Sequence, residues 1–173
     1  MYTIKNEHKL IPWGIFLRWK CIRCGRCCSL LRVRLLEDEV KYLTEKYGDV
    51  VEYIGNEPYL KHKSDGCIFL TYENGMAKCT IYEDRPLVCR VYPFYIRKWR
   101  DIKRDIPIES IRDVLFRYRG RKYGVYVSNI CMGLGIGMPI EIEIRKAIRE
   151  KYFKTHIPSE KDKRITSYSA ITT

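Results

Sequence analysis

The sequence predicts an α+β fold: a small single domain whose short antiparallel strands and few helices are organised around a cysteine-ligated metal or cluster site. Three observations carry this expectation. Asn74-Gly75 sits between two apolar segments within Cys67 to Tyr82, a strong hairpin signal. Apolar residues recur at helical spacing after Leu36 and again after Pro139. Half of the eight cysteines fall in one short string, CIRCGRCC, beginning at Cys21.

Length and composition bound the rest. A chain of 173 residues suits one domain with a real core, and a hydrophobic fraction of 46% excludes wholesale disorder. Nowhere is there an apolar run long enough for a membrane-spanning helix. The apolar stretch Ile11 to Leu17 is short, broken by Trp13 and Gly14, and lacks the cleavage site of a secretory leader. The expectation is a soluble, cytoplasmic protein. Residues 1–157 read as a cysteine-cluster metal-binding domain with its core motifs at 21–137, and residues 158–173 as a loose tail.

Along the chain, residues 1–20 form a basic, aromatic lead-in containing Tyr2, Trp13, Phe16 and Trp19. Leu30, Val33 and Leu35 alternate with Arg32 and Arg34, which predicts a short strand. Leu36, Val40 and Leu43 fall on one helical face, with Glu37, Asp38 and Glu39 favouring its positive end and Gly48 stopping it. In the following hairpin, a two-residue turn pairs Leu70 with Cys79. A three-residue loop, Glu73 to Gly75, pairs Phe69 with Cys79 and puts Cys67 and Cys79 on one face. Shared ligation prefers the longer loop, or a Cys67 just before the strand. Two prolines bracket Cys89 in EDRPLVCRVYPF, which predicts a rigid irregular loop or short turn. Residues 111–118 and 123–129 predict a second hairpin around Gly120 that delivers Cys131. Beyond Pro139, Ile140, Ile144 and Ile148 predict a helix of about four turns, with Glu141 and Arg145 at an i,i+4 spacing.

The chemistry concentrates in the cysteines. Thiolate is a soft ligand that selects zinc, copper(I) or iron–sulfur clusters. C-x-x-C lets the backbone turn around one ion, and the extended C-x-x-C-x-x-C of Cys21, Cys24 and Cys27 lets three thiolates converge on one cluster. Gly25 permits the positive φ that such a loop needs. Cys27 and Cys28, being adjacent, project differently, so one serves the first site while the other serves a second site or remains free. Cys67, Cys79, Cys89 and Cys131 bring the total to eight, enough for two four-ligand sites, or for one cluster with spare thiols. A disulfide framework is the competing reading, disfavoured by the compartment and by a chain long enough to do without staples. Zinc and iron–sulfur both remain open. The local run of three favours a four-iron, four-sulfur cluster, because no second C-x-x-C pair lies downstream to complete a zinc tetrahedron. Arg23, Arg26 and Arg90 are candidate cofactor-site cations, placed to offset thiolate charge. His8, His62 and His156 lie far apart and read as surface residues.

Charge is the second feature. The excess of 33 Lys and Arg over 21 Asp and Glu gives +12, and residues 97–122 carry much of it with Tyr95, Trp99, Phe116, Tyr118 and Tyr123 interleaved. Cations for phosphate and rings for bases make this segment a candidate nucleic-acid surface. A solvated basic face with inward aromatics is the plain alternative. Gly133, Gly135 and Gly137 miss the dinucleotide fingerprint spacing and read as a turn beside Cys131. No catalytic triad or paired-carboxylate pattern emerges. An iron-dependent enzyme acting on protein or nucleic acid therefore stands only as an alternative to a metal-ion or cluster-binding protein.

CIRCGRCC, then C-x11-C, RPLVCRVYPF and a late CMGLGIG together resemble the YkgJ-type cysteine-cluster family, whose CxxCxxCC signature is associated with zinc or iron chelation. The likeness runs from Cys21 to Gly137. It implies Cys21, Cys24, Cys27 and Cys28 as signature ligands, with Cys67, Cys79, Cys89 and Cys131 matching the remaining family cysteines. Arg85, Pro86, Arg90, Tyr92, Pro93 and Phe94 match its scaffold motif, while Met132 departs from the proline expected after the last cysteine. The likeness extends to the cysteine-rich region of flagellin lysine methylases. Their reaction does not transfer to a chain of this length.

Overall fold

Two hairpins of this chain close through two-residue turns in which both residues take positive φ. In the computed structural model, which describes residues 8–102 and 111–153, Asn74 and Gly75 have φ of 51° and 76°, and Arg119 and Gly120 have 49° and 68°. Both turns have the backbone hand that suits the right-handed twist of hairpin strands.

From the N-terminus, β1 (Leu10–Pro12), a 3-10 turn and β2 (Arg18–Trp19) lead to α1 (Arg26–Leu30) and α2 (Glu37–Tyr47). Short hairpins follow: β3 (Val51–Ile54) with β4 (Glu57–Leu60), β5 (His62–Lys63) with β6 (Gly66–Cys67), and β7 (Leu70–Glu73) with β8 (Met76–Cys79). Then come α3 (Leu87–Val91), β9 (Phe94–Lys98), α4 (Ile111–Val114), β10 (Leu115–Tyr118), β11 (Arg121–Ser128), β12 (Met138–Pro139) and α5 (Ile140–Phe153). Every ladder is antiparallel, so the chain is mixed α+β as its sequence predicts. Among the described residues no helix is long and apolar enough to cross a membrane.

The largest sheet is built on β11. β9 lies along one edge, and β10 and β1 share the other. Its inner face, with Phe94, Ile96, Phe116, Tyr123, Val125 and Val127, is buried against α5. The isoleucine stripe of α5 answers it: Ile140, Ile144 and Ile148 are wholly buried, each stabilising by about 1.5–3 kcal/mol. Its exposed side carries a Lys146–Glu143 pair, and Arg145 lies over the Phe116 ring.

A second apolar cluster holds the cysteine-rich half. Val33, Leu35, Leu43, Val50, Leu60, Phe69, Leu70 and Ile81 pack with Cys67, and Cys28, Cys79 and Cys89 lie against them. Of the alternation expected from Leu30, Val33 and Leu35 are buried and Arg32 and Arg34 exposed, while Leu30 ends α1 exposed to solvent. Leu35 N–H donates to Pro58 O, and Leu60 N–H to Val33 O, so this stretch runs beside β4 with a single bridge at Arg34–Tyr59. α3 joins the halves, with Val91 in the first cluster and Cys89 against the second.

The open choice of hairpin register is settled, and the segments at Cys89 and at residues 111–114 are helical where a loop or short turn and a strand were expected. The β7–β8 hairpin takes the two-residue turn, Leu70 opposite Cys79, so the longer loop is not formed and Cys67 sits before the strand, in β6. Cys89 stands in a short helix rather than an irregular loop. Pro86 occupies the N-cap position, where proline's missing N–H costs nothing. The tail from residue 158, His156 and Tyr2 lie outside the described residues.

Candidate metal centre

The first three cysteines occupy a loop pinned on two sides. Arg23 O accepts a hydrogen bond from Ala77 N–H at 2.9 Å, docking the loop on β8. Gly25 takes φ of 76°, and a Cβ there would stand 2.9 Å from Ala77 Cβ and 3.0 Å from the Tyr72 hydroxyl. Only glycine fits both demands. α1 starts at once and carries Cys27 and Cys28.

Cys131 arrives from the other end of the chain. Ser128 O accepts from Cys131 N–H, so the residue leaves β11 in a turn. The next residues lie on the segment preceding Cys21: Lys20 N–H donates to Gly133 O at 3.1 Å, and a Cβ on Gly133 would stand 1.9 Å from Lys20 O. Trp19 Nε1–H donates to Cys131 Sγ at 3.2 Å. The glycine-rich string is therefore a close-approach seam.

β6, packed on α1, brings up Cys67. A Cβ on Gly66 would stand 2.7 Å from Cys28 O and from Ser29 Cα, so α1 rests directly on this strand. α3 supplies Cys89 and the end of β8 supplies Cys79. All eight cysteines are free thiols; Cys21 and Cys24 are exposed, Cys67 is buried, and the others are half-buried.

Their electrostatics divide them. Cys27 and Cys28 lie 3.8 Å apart, sulfur to sulfur. The Cys28 thiol donates to Cys27, which holds the Cys27 pKa down to about 7, and the same bond pushes Cys28 up. Burial raises Cys89, and negative charge on Cys67, Cys27 and Cys79 adds to it. Burial likewise raises Cys67 and Cys79. It also raises Cys131, against the Trp19 hydrogen bond, with Cys27 and Cys21 as its thiol neighbours. Cys28, Cys67, Cys79 and Cys89 thus form an inner group and Cys21 and Cys131 belong to an outer one, with Cys27 felt by both. Among the described residues no three His, Cys, Asp or Glu side chains close to metal-holding geometry. The donor set nonetheless fits a thiophilic metal: free, mutually interacting sulfurs, some of them also accepting hydrogen bonds.

Arg85 favours thiolate at Cys27, Cys79 and Cys89, and Lys63 does the same at Cys67. The Arg85 guanidinium lies over the Tyr82 ring, 3.7 Å from the centroid, and donates to Tyr82 O. Of the arginines expected beside the thiols, Arg26 reaches the Met132 sulfur, Arg23 acts on Glu73, and Arg90 pairs with Glu150 of α5 at 3.3 Å.

Two carboxylates tie α2 to the segment from Asp84 to Cys89, Glu39 from α2 itself and Asp84 from the turn before Arg85. Glu39, buried, accepts from Leu36 N–H at 2.9 Å and from Leu87 N–H at 2.6 Å. Asp84 accepts from Tyr42, Tyr47 and Lys46. Burial opposes its ionisation, but these bonds prevail and hold its carboxyl at about 2. His62, expected at the surface, is half-buried opposite Cys67. The run Ser64-Asp65-Gly66 between them was the available signal, a turn that sets residues 62 and 67 across from one another.

Of the basic segment, residues 103–110 lie outside the described residues. Phe116 and Tyr123 face the core rather than a ligand. The outer face of the sheet carries Arg97, Arg117 and Lys122, all exposed, with Arg117 directly opposite Lys122.

Residues 20–110 match the family described as "CxxCxxCC: Putative zinc- or iron-chelating domain". The chain belongs to that CxxCxxCC family. The matched residues contain Cys21, Cys24, Cys27, Cys28, Cys67, Cys79 and Cys89, and Cys131 lies beyond them. The chain is also similar to the uncharacterized protein MJ0661 of Methanocaldococcus jannaschii, 32% identical over 104 residues, which are 53% of this chain and 54% of the relative. It spans about half the length of that curated relative. No solved structure matches it. For a CxxCxxCC protein, zinc or iron chelation is the function the family description suggests.

Proposed function

We infer that this CxxCxxCC protein binds metal at two groups of thiols and serves redox chemistry or metal handling. The outer group, Cys21, Cys24, Cys27 and Cys131, holds a four-iron, four-sulfur cluster. The inner group, Cys28, Cys67, Cys79 and Cys89, holds a second metal. The observation that carries this reading is the seam between Gly133 and Lys20, which sets a remote cysteine beside a C-x-x-C-x-x-C run. Three local thiolates and one distant one are the set a cubane cluster takes.

The chain's own residues supply what such a centre needs. Cys27 is ready to ionise near neutral pH, helped by Cys28 and Arg85. Trp19 offers a hydrogen bond to the Cys131 sulfur, and hydrogen bonds of this kind tune a thiolate-bound centre. Cys21 and Cys24, exposed, put the outer group where a redox or metal-exchange partner can reach it. When bound, a cluster supplies one-electron transfer.

Anaerobic purification with a visible spectrum and metal analysis tests the reading. The expected protein is brown, absorbs near roughly 400 nm, and carries about four irons and four sulfides in its outer group. Colourless protein with zinc overturns the cluster. Protein with neither metal overturns the whole reading.

A second surface rests on Arg117 and Lys122. Like charges directly opposite in a ladder repel, and Arg97 adds to them on the same face. We read this face as a contact for a nucleic-acid backbone, which relieves the repulsion by giving up its counterions. Retention of RNA or DNA at low ionic strength, lost in Arg117→Ala/Lys122→Ala, is expected. No retention at low salt sinks it.

A further inference from the structure

Nε2 of His62 is shut off from solvent and meets no hydrogen-bond partner among the described residues. Buried side-chain polar atoms nearly always find one, so an exception calls for a cause. The neighbouring strand supplies it. β5 and β6 pair His62 with Cys67. Ile68 N–H donates to Lys61 O at 2.9 Å, the bond that brackets this pair from outside. His62 and Cys67 are therefore the narrow, non-hydrogen-bonded kind of antiparallel pair. In such a pair the Cα atoms stand about 4.5 Å apart and both side chains rise from the same face. An imidazole nitrogen and a thiol set side by side make a two-donor bite.

Cys28, Cys67 and Cys89 complete the surroundings. Cys28 feels Cys89 and Cys67, and Cys89 feels Cys67, so the three thiols lie within range of one another's charge. We propose that His62 is a metal ligand of the inner group, binding a divalent ion through Nε2 together with the thiolates of Cys28, Cys67 and Cys89. The assignment rests on the metal-binding reading above and names the atoms of its inner group.

Charge favours this set over four sulfurs. Four thiolates leave a divalent ion with two surplus negative charges, whereas three thiolates and a neutral imidazole leave one. The surroundings are apolar, with Leu60, Phe69 and Ile81 in the same cluster, and uncompensated charge there is costly. Arg85 is available to offset what remains. Three cysteines and one histidine are also an ordinary closed set for zinc. Cys79, at the end of β8, is left as a thiol beside the site. The four donors come from α1, β5, β6 and α3, so ligation ties together the elements that the second apolar cluster assembles.

X-ray absorption at the zinc edge reads the donor atoms directly. The protein is the full chain loaded with zinc and carrying Cys21→Ser and Cys24→Ser, which confine the ion to the inner group. One nitrogen and three sulfurs in the first shell are expected. His62→Gln then removes the nitrogen and gives up zinc to a chelator that leaves the parent loaded, while Cys79→Ser keeps both nitrogen and zinc. An all-sulfur shell in the parent overturns the role of His62 and leaves metal binding standing. A parent that takes up no zinc, from a wild-type chain that holds neither zinc nor iron, overturns both. The parent's own shell decides the matter even where His62→Gln fails to fold.

Discussion

Glu39 Oε1 accepts the Leu87 N–H at 2.6 Å, and through that bond the first turn of α2 fixes the first turn of α3. Its second oxygen takes the Leu36 N–H at 2.9 Å, so a buried carboxylate satisfies backbone donors at the start of two helices. Cys89 lies on α3, two residues beyond Leu87.

Replacing Glu39 by alanine leaves both donors without their acceptor. A buried N–H stripped of its partner costs about 1–3 kcal/mol. Glu39→Ala is therefore expected to lower stability by about 2 kcal/mol in urea unfolding, with the slope unchanged. It also frees α3, so modification of Cys89 by a thiol reagent rises alongside. A loss below about 0.5 kcal/mol, the usual range for surface changes, rejects the anchoring role.

Cys27 supplies a pH test on the metal-free protein. Its pKa of about 7 lies below the 9.0 of an ordinary thiol because Cys28 donates to it. The thiolate is the reactive form, so alkylation of Cys27 rises with pH through about 7 and levels off above it. At pH 7 roughly half is ionised, against about 1% of an ordinary thiol. The lower basicity takes back much of that gain, leaving an advantage of about five- to tenfold. Peptide mapping after brief iodoacetamide treatment measures it. Cys28→Ala removes the donor and moves the inflection upward; an inflection that stays put refutes the pairing.

How much of this was legible depends on the range of the signal. The α5 stripe of Ile140, Ile144 and Ile148 and the Asn74-Gly75 turn are local patterns, and both were realised. The thiol-rich run at Cys21 was equally plain. α3 was hidden because Pro86 and Pro93 read as breakers, although Pro86 sits where a helix tolerates proline. Glu39 read as one of three acids suited to a helix dipole, and nothing near it announces Leu87, 48 residues away. Arg90 reads as a thiolate neighbour until Glu150 on α5 is seen to face it. Partners chosen across the fold leave no local pattern, and that is where the site was least readable.

The two glycine seams separate the two thiol groups. A methyl at Gly133 would stand 1.9 Å from Lys20 O, a backbone atom that cannot swing away. Gly133→Ala is expected to displace the Cys131 turn at about 1–3 kcal/mol, the usual cost of overpacking, and to quench the Trp19–Cys131 contact. The change in Trp19 fluorescence on adding a thiol-binding metal should shrink with it. Gly66→Ala adds a methyl 2.7 Å from Cys28 O at φ of 135°, so it disturbs the inner group instead. If both variants affect metal uptake alike, the groups are not independent.

Serine replacements carry the same logic to the ligands. Cys131 answers to Cys21 and Cys27, and Cys89 to Cys67, Cys79 and Cys28. Cys131→Ser is therefore expected to empty the outer group and leave the inner metal in place, while Cys89→Ser does the reverse. Metal analysis with iron, zinc and sulfide counted per chain reads both outcomes. Because Cys27 interacts with both sets, Cys27→Ser is the discriminating variant: it should remove the outer cluster and also weaken the inner site, whose Cys28 thiol loses the partner 3.8 Å away. Loss of all metal from Cys131→Ser alone means that the eight thiols act as one site, and the division at α1 is then wrong.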